Sequence, residues 1–222
     1  MREGSISKQK TLSAILDIGI IPIVRAPSPL AAVQAAQAIY RGGIRAVEIT
    51  MTVPGALRVL EKVADEFGDR ITLGAGTVLD PETARAAMLA GAEFLVTPAL
   101  KPDTIEMCRR YSKVIIPGAL TPTEVQAAWE AGADLVKIFP CGNLGGPSYI
   151  RALKAPFPQI EMVPTGGVTL ENTAEFFRSG ASAVAVGSEM VNSRALAEGK
   201  LEVIEQAARQ FLAVVTEGRK RE

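Results

Sequence analysis

Two charged residues stand inside runs that are otherwise apolar: Glu48 in Ala46-Val47-Glu48-Ile49-Thr50, and Lys137 in Leu135-Val136-Lys137-Ile138-Phe139-Pro140. A lone charge is expensive to bury unless it is paired or put to use. If both runs are strands, alternation turns Val47 and Ile49 to one face and Glu48 and Thr50 to the other. The same alternation separates Val136 and Ile138 from Lys137 and Phe139. A desolvated lysine is partly neutral, and a neutral amine attacks a ketone. A carboxylate beside it moves protons. A buried structural ion pair is the plain alternative, and residue types alone leave both readings open.

The chain contains no histidine among its 222 residues. That removes histidine acid–base catalysis, the Ser-His-Asp triad and His-rich zinc sites together. No metal and no cofactor is expected, and catalysis has to run on carboxylates, lysines, hydroxyls, thiols or backbone dipoles. Cys108 and Cys141 lie far apart with no metal-type or redox-type spacing, which fits a reduced cytoplasmic setting. Twenty-four basic residues balance twenty-four acidic ones, so nothing attracts a polyanion such as a nucleic acid. A local cluster on a neutral protein still binds a small anion. Residues 1–10 are polar and read as no signal peptide. No apolar run reaches the roughly 18–20 residues that cross a bilayer, so no membrane partner is expected.

Glycine motifs supply the next candidates. Pro164-Thr165-Gly166-Gly167 and Gly187-Ser188 each follow an apolar run. Either alone fits a plain turn. Two on adjacent strands favour an anion site, because backbone N–H groups approach a phosphate most closely where no side chain intervenes. Gly74-Ala75-Gly76-Thr77 leaves room at another strand end, where the Thr77 hydroxyl suits a substrate carboxylate; tight packing is the competing reading. Arg25 ends the first run, and its fork of donors also suits a carboxylate, although most arginines form surface ion pairs.

These residues need a frame that brings strand ends together. Strand-like runs occur at 20–25, 46–51, 72–77, 94–99, 114–119, 135–140, 161–167 and 183–188, and amphipathic stretches separate them, most clearly 29–41, 81–90, 122–131 and 170–179. Asp80-Pro81, Thr121-Pro122 and Thr169 with Asn172 read as helix starts. Gly42-Gly43, Gly91-Ala92, Gly132-Ala133 and Gly180-Ala181 read as the stops. The helix–Gly–strand step recurs about every 20–26 residues, the size of one strand-plus-helix unit. Eight such units predict a (β/α)8 TIM barrel, one domain over residues 1–222, and its active site belongs at the C-terminal strand ends. A doubly wound sheet fits less well, since Arg25-Ala26-Pro27 stands where a glycine fingerprint would follow the first strand. An additional N-terminal helix is expected at 8–18, a closing helix at 201–217, and a frayed tail at 218–222. Glu48 and Lys137 fall on the second and sixth runs, which share parity and so share an interior layer.

Taken in order, Glu48-Ile49-Thr50, Gly74-Ala75-Gly76-Thr77-Val78, Pro117-Gly118, Lys137-Ile138-Phe139-Pro140 and Pro164-Thr165-Gly166-Gly167-Val168 resemble the 2-keto-3-deoxy-6-phosphogluconate (KDPG) and 4-hydroxy-2-oxoglutarate (KHG) aldolase family, from about residue 20 to 191. The resemblance implies a class I, metal-free lyase that acts on a small-molecule 2-keto acid, normally as a homotrimer of barrels. It makes Lys137 the Schiff-base lysine and Glu48 the general acid/base. Thr77 binds the carboxylate, Thr165, Gly166, Gly167, Gly187 and Ser188 line the phosphate end, and Pro98 and Phe139 shape the pocket. Some members carry an arginine at the position of Thr52, and here Arg25 is the candidate to supply that charge. The galactonate epimer of KDPG is an alternative substrate. The rival functions are a sugar-phosphate isomerase or epimerase barrel, a class that often uses histidine, and a non-catalytic barrel that binds a phosphometabolite.

Overall fold

The computed structural model describes residues 7–220. The expectations for the polar opening and the extreme tail therefore lie partly outside the described residues. Helix α1 (Lys8–Ile18) opens the described chain, and the Ser7 hydroxyl accepts from the Lys10 N–H at its start. Strand and helix then alternate: β1 (Ile20–Val24), α2 (Pro29–Arg41), β2 (Ala46–Thr50), α3 (Ala56–Phe67), β3 (Thr72–Gly76), α4 (Pro81–Leu89), β4 (Phe94–Val96) and α5 (Pro102–Arg110). After them come β5 (Val114–Ile116), β6 (Gly118–Ala119), α6 (Pro122–Glu130), β7 (Val136–Ile138), α7 (Pro147–Lys154), β8 (Met162–Pro164), α8 (Leu170–Arg178), β9 (Val184–Val186), α9 (Ser193–Ala197) and α10 (Leu201–Gly218).

Every named ladder is parallel. One sheet runs β5-β4-β3-β2-β1-β9 and another runs β6-β7-β8. The chain passes from the first to the second at Pro117, which has no N–H to give a ladder. That splits the fifth expected strand into β5 and β6, so the sixth expected strand is β7. On the other side, Thr165 bridges Ala185 in parallel, and the Ser182 N–H donates to the Met162 carbonyl at 2.9 Å. The result is an α/β fold of curled parallel strands with helices packed outside.

The strands are shorter than their apolar runs. Each run continues to the end of its hydrophobic or glycine-rich stretch, but Arg25, Thr77, Pro98, Phe139 and Ser188 lie past the strand ends. Their backbones form the rim instead. The helix starts follow their caps: the Asp80 carboxylate accepts from the Thr83 N–H at 2.6 Å, and Thr121 with Glu124 forms a capping box. Gly43, Gly91, Gly132 and Gly180 all take positive φ after a helix, which is the turn the repeat required.

Packing sorts the strand residues into two sets. Val47, Ile49, Val136 and Ile138 join the cluster shared with the helices. Ile21, Ile23, Phe94, Val96, Ile116, Leu135, Val163 and Ala185 form an inner cluster, and Ile15 of α1 belongs to it with Leu12 and Leu16 packed alongside. Helix α1 thus seals the end where the strands begin, which leaves the opposite end for chemistry. The expected fraying fails for Gly218 and Arg219. Gly218 ends α10 against Ala174, and Arg219 donates to the carbonyls of Leu16 and Asp17, tying the last helix to the first.

Candidate active site

Glu48 is central to β2, with Ile23 of β1 and Gly74 of β3 as its register partners. Its side chain points inward, as alternation requires, and lies over Gly76. A methyl group on Gly76 would sit 1.7 Å from Glu48 Oε1, so β3 carries glycine there to make room. Both carboxylate oxygens are buried without a hydrogen-bond partner among the described residues. An orphaned buried carboxylate is costly, and such groups are retained where they do chemistry. Burial pushes its pKa up, opposed by the charges of Lys137 and Arg25. Glu48 therefore holds a proton to a higher pH than an ordinary glutamate.

Lys137 occupies the middle of β7 between Gly118 and Val163 and is only 3% exposed. Its amine stands 5.0 Å from the centre of the Phe139 ring. Burial lowers its pKa, with Glu48 acting the other way and Arg25 reinforcing the drop. The two groups feel each other's field, yet neither Glu48 oxygen bonds to the amine. A structural ion pair would close that contact. What is present is a pair shifted toward neutral amine and neutral acid, the protonation states needed to add an amine to a ketone and expel water.

Beyond Phe139 lies a cavity of about 130 Å³. Arg25, Phe139, Thr165, Gly166, Gly167, Gly187 and Ser188 all line it, so these seven sequence candidates come together. Gly166 and Gly167 have φ of 82° and 76°, a region that side chains resist. Gly167 is also pinned by close approach, since a Cβ there would lie 2.8 Å from Gly142 Cα. The Cys141 and Gly142 N–H groups donate to the Thr165 and Gly166 carbonyls at 2.9 Å, locking the loop after β7 to the loop after β8. Among the described residues, the N–H groups of Gly167, Val168, Ser188 and Glu189 donate to no other protein group. Free N–H groups around a small cavity form an anion cradle.

Two residues fall elsewhere. Thr77 follows β3 with φ of 56°, and Pro98 follows β4 with its carbonyl packed against Gly118; neither lines the cavity. Arg25, grouped from sequence with Thr77 at a carboxylate, stands on the cavity wall with the glycine loops. Thr52 carries no charge, but its hydroxyl lies 2.7 Å from that of Thr50, which donates to the Val24 carbonyl at 3.1 Å. This links the end of β2 to the end of β1, just before Arg25. Sequence reasoning missed Ile23, Val168, Ala185 and Glu189 on the cavity wall. The inward parity of Ile23 and Ala185 was a usable signal, and Glu189 directly follows the Gly187-Ser188 motif.

A family model for KDPG and KHG aldolase matches residues 13–207. The chain belongs to this family. A 2-dehydro-3-deoxy-phosphogluconate aldolase of Treponema pallidum is 36% identical over 202 residues, covering 91% of this chain and 96% of that protein. A 2-dehydro-3-deoxy-6-phosphogalactonate aldolase of Escherichia coli is 35% identical, covering 88% and 92%. Among solved structures, one described as native KDPGal superposes with a TM-score of 0.83 at 34% identity, covering 90% of this chain and 95% of the other. A KDPG aldolase of Legionella pneumophila, with pyruvate captured as a covalent carbinolamine, gives the same TM-score at 26% identity, covering 90% and 96%. Like its relatives, this KDPG and KHG aldolase family member is a lyase that breaks a carbon–carbon bond.

Proposed function

We propose that the chain is a class I aldolase that cleaves KDPG to pyruvate and glyceraldehyde 3-phosphate through a Schiff base on Lys137, and that it also accepts KHG, giving pyruvate and glyoxylate. The observation that carries this reading is the buried Lys137 amine beside the unpartnered Glu48 carboxylate, next to a cavity ringed by free backbone N–H groups. In this mechanism the neutral Lys137 amine adds to the C2 ketone. Protonated Glu48 gives its proton to the departing hydroxyl, water leaves and an iminium forms. The Glu48 carboxylate then takes the C4 hydroxyl proton. The C3–C4 bonding pair moves into the iminium as an enamine, and glyceraldehyde 3-phosphate departs as the C4 aldehyde. Glu48 returns the proton to C3, and water hydrolyses the iminium to pyruvate and free amine, the proton released returning Glu48 to its acid form. The lysine is the electron sink throughout.

Thr77 binds the C1 carboxylate in this reading, with Pro98 and Phe139 shaping the walls. The glycine loops with Thr165 and Ser188 hold the phosphate, and Arg25 supplies charge at the same cavity. The two strand arcs count as one (β/α)8 barrel and one domain preceded by α1; the bridge from Thr165 to Ala185 and the continuity through Pro117 support this. The working form is a homotrimer and the setting cytoplasmic, consistent with Cys108 and Cys141 being free thiols. The alternative substrate, the galactonate epimer of KDPG, is favoured by the 35% identical relative named a 2-dehydro-3-deoxy-6-phosphogalactonate aldolase. Pyruvate release from KDPG, its epimer and KHG should be compared in the presence of a chelator. Sustained cleavage of at least one supports the aldolase; release from none, or loss on chelation, overturns it.

A further inference from the structure

The cavity beyond Phe139 is charge-balanced. Of the residues that line it, Arg25 is the one cation and Glu189 the one acid. Glu189 is exposed and, among the described residues, makes no hydrogen bond or ion pair. The chain turns sharply at this point, with the Gly187 carbonyl accepting from both the Met190 and Val191 N–H groups at 3.0 and 2.9 Å. That turn holds Glu189 at the cavity while the N–H groups of Ser188 and Glu189 stay free. A phosphate monoester carries between one and two negative charges near neutral pH. A carboxylate at the same mouth repels it, whereas a hydroxyl on the same carbon donates a hydrogen bond to that carboxylate.

We propose that Glu189 determines specificity at the distal end of the substrate, reducing the advantage of a phosphate terminus over a hydroxyl terminus. The chain thereby also cleaves unphosphorylated 2-keto-3-deoxy acids of the same length. This rests on the aldolase reading above and goes beyond it in naming a second substrate class and the residue that admits it. Arg25 and the free N–H groups still attract the phosphate; Glu189 offsets part of that attraction.

The test compares kcat/KM for KDPG and for its unphosphorylated counterpart, 2-keto-3-deoxygluconate, in the unaltered protein, Glu189→Gln and Glu189→Lys. The ratio of phosphorylated to unphosphorylated substrate should rise about fivefold in Glu189→Gln, the scale of a solvent-exposed charge pair. It should rise further in Glu189→Lys, and rising ionic strength should shrink the differences among the three proteins. An unchanged or falling ratio in both variants overturns the proposal, as does complete inertness of the unaltered protein toward the unphosphorylated acid. Covalent trapping of pyruvate at Lys137 in the unaltered protein tests the aldolase reading separately, because pyruvate has no distal group.

Discussion

At the scale of single residues, the site is held by what is missing as much as by what is present. Gly76 exists because Glu48 lies over it, so Gly76→Ala has to displace the carboxylate. A shift of about 1 Å at a catalytic group costs on the order of a hundredfold in rate. Gly76→Ala should therefore slow pyruvate release from KDPG by about that factor, with KM changed far less. Thr77 is a β-branched residue with φ of 56°, a conformation costing about 1–3 kcal/mol that persists where function requires it. Thr77→Asn should raise the unfolding free energy by about 1 kcal/mol while lowering kcat/KM, and denaturant titration beside steady-state assays reads both. Glu48 and Lys137 were legible in the sequence as charges inside apolar strands. Their lack of a direct contact was not, because parity fixes the layer a side chain enters and leaves its reach undetermined.

At the scale of elements, the sealed end of the fold carries its own titration. The Glu93 carboxyl lies beneath α1, where the Thr11 hydroxyl reaches it at 3.5 Å. Burial pushes its pKa up to about 7 against the opposing charge of Lys113, and Asp69 adds to the rise. An acid whose folded pKa exceeds its unfolded value stabilises fully below the unfolded value and loses that contribution as pH rises through the folded one. The unfolding midpoint should thus fall between about pH 4.5 and about 7, and Glu93→Gln should flatten that stretch of the stability profile. Arg219 ties α10 to the carbonyl end of α1, and Arg219→Ala should cost about 1 kcal/mol in chemical denaturation. The helix caps and glycine stops were readable because their chemistry is local. The anchoring of Arg219 was not, since its partners lie about 200 positions away and a charged tail otherwise reads as solvated. The split at Pro117 was readable in principle from the missing N–H, but the apolar run on both sides masked it.

At the scale of the whole molecule, the fold places the C-terminal ends of distant strands around one cavity. The alternation of strand and helix announced that arrangement, and the glycine loops after the last two runs line that cavity. That Arg25 shares the cavity wall with the glycine loops was not legible, because a rim residue's neighbours depend on how far the strands curl, which periodicity does not encode. The protonation states of the central pair belong to this scale, since both shifts come from enclosure by the surrounding strands. Reaction with pyruvate needs the neutral amine and the protonated acid together, so adduct formation should rise as Lys137 loses its proton, at a pH below the ordinary lysine value of 10.5, and fall again as Glu48 loses its own. The most direct test of the central claim is borohydride reduction in the presence of pyruvate, followed by peptide mass mapping. The account predicts a stable adduct on the peptide that carries Lys137, absent in Lys137→Met. An unlabelled Lys137 in a protein that is turning over substrate, or an adduct on another lysine, would contradict it.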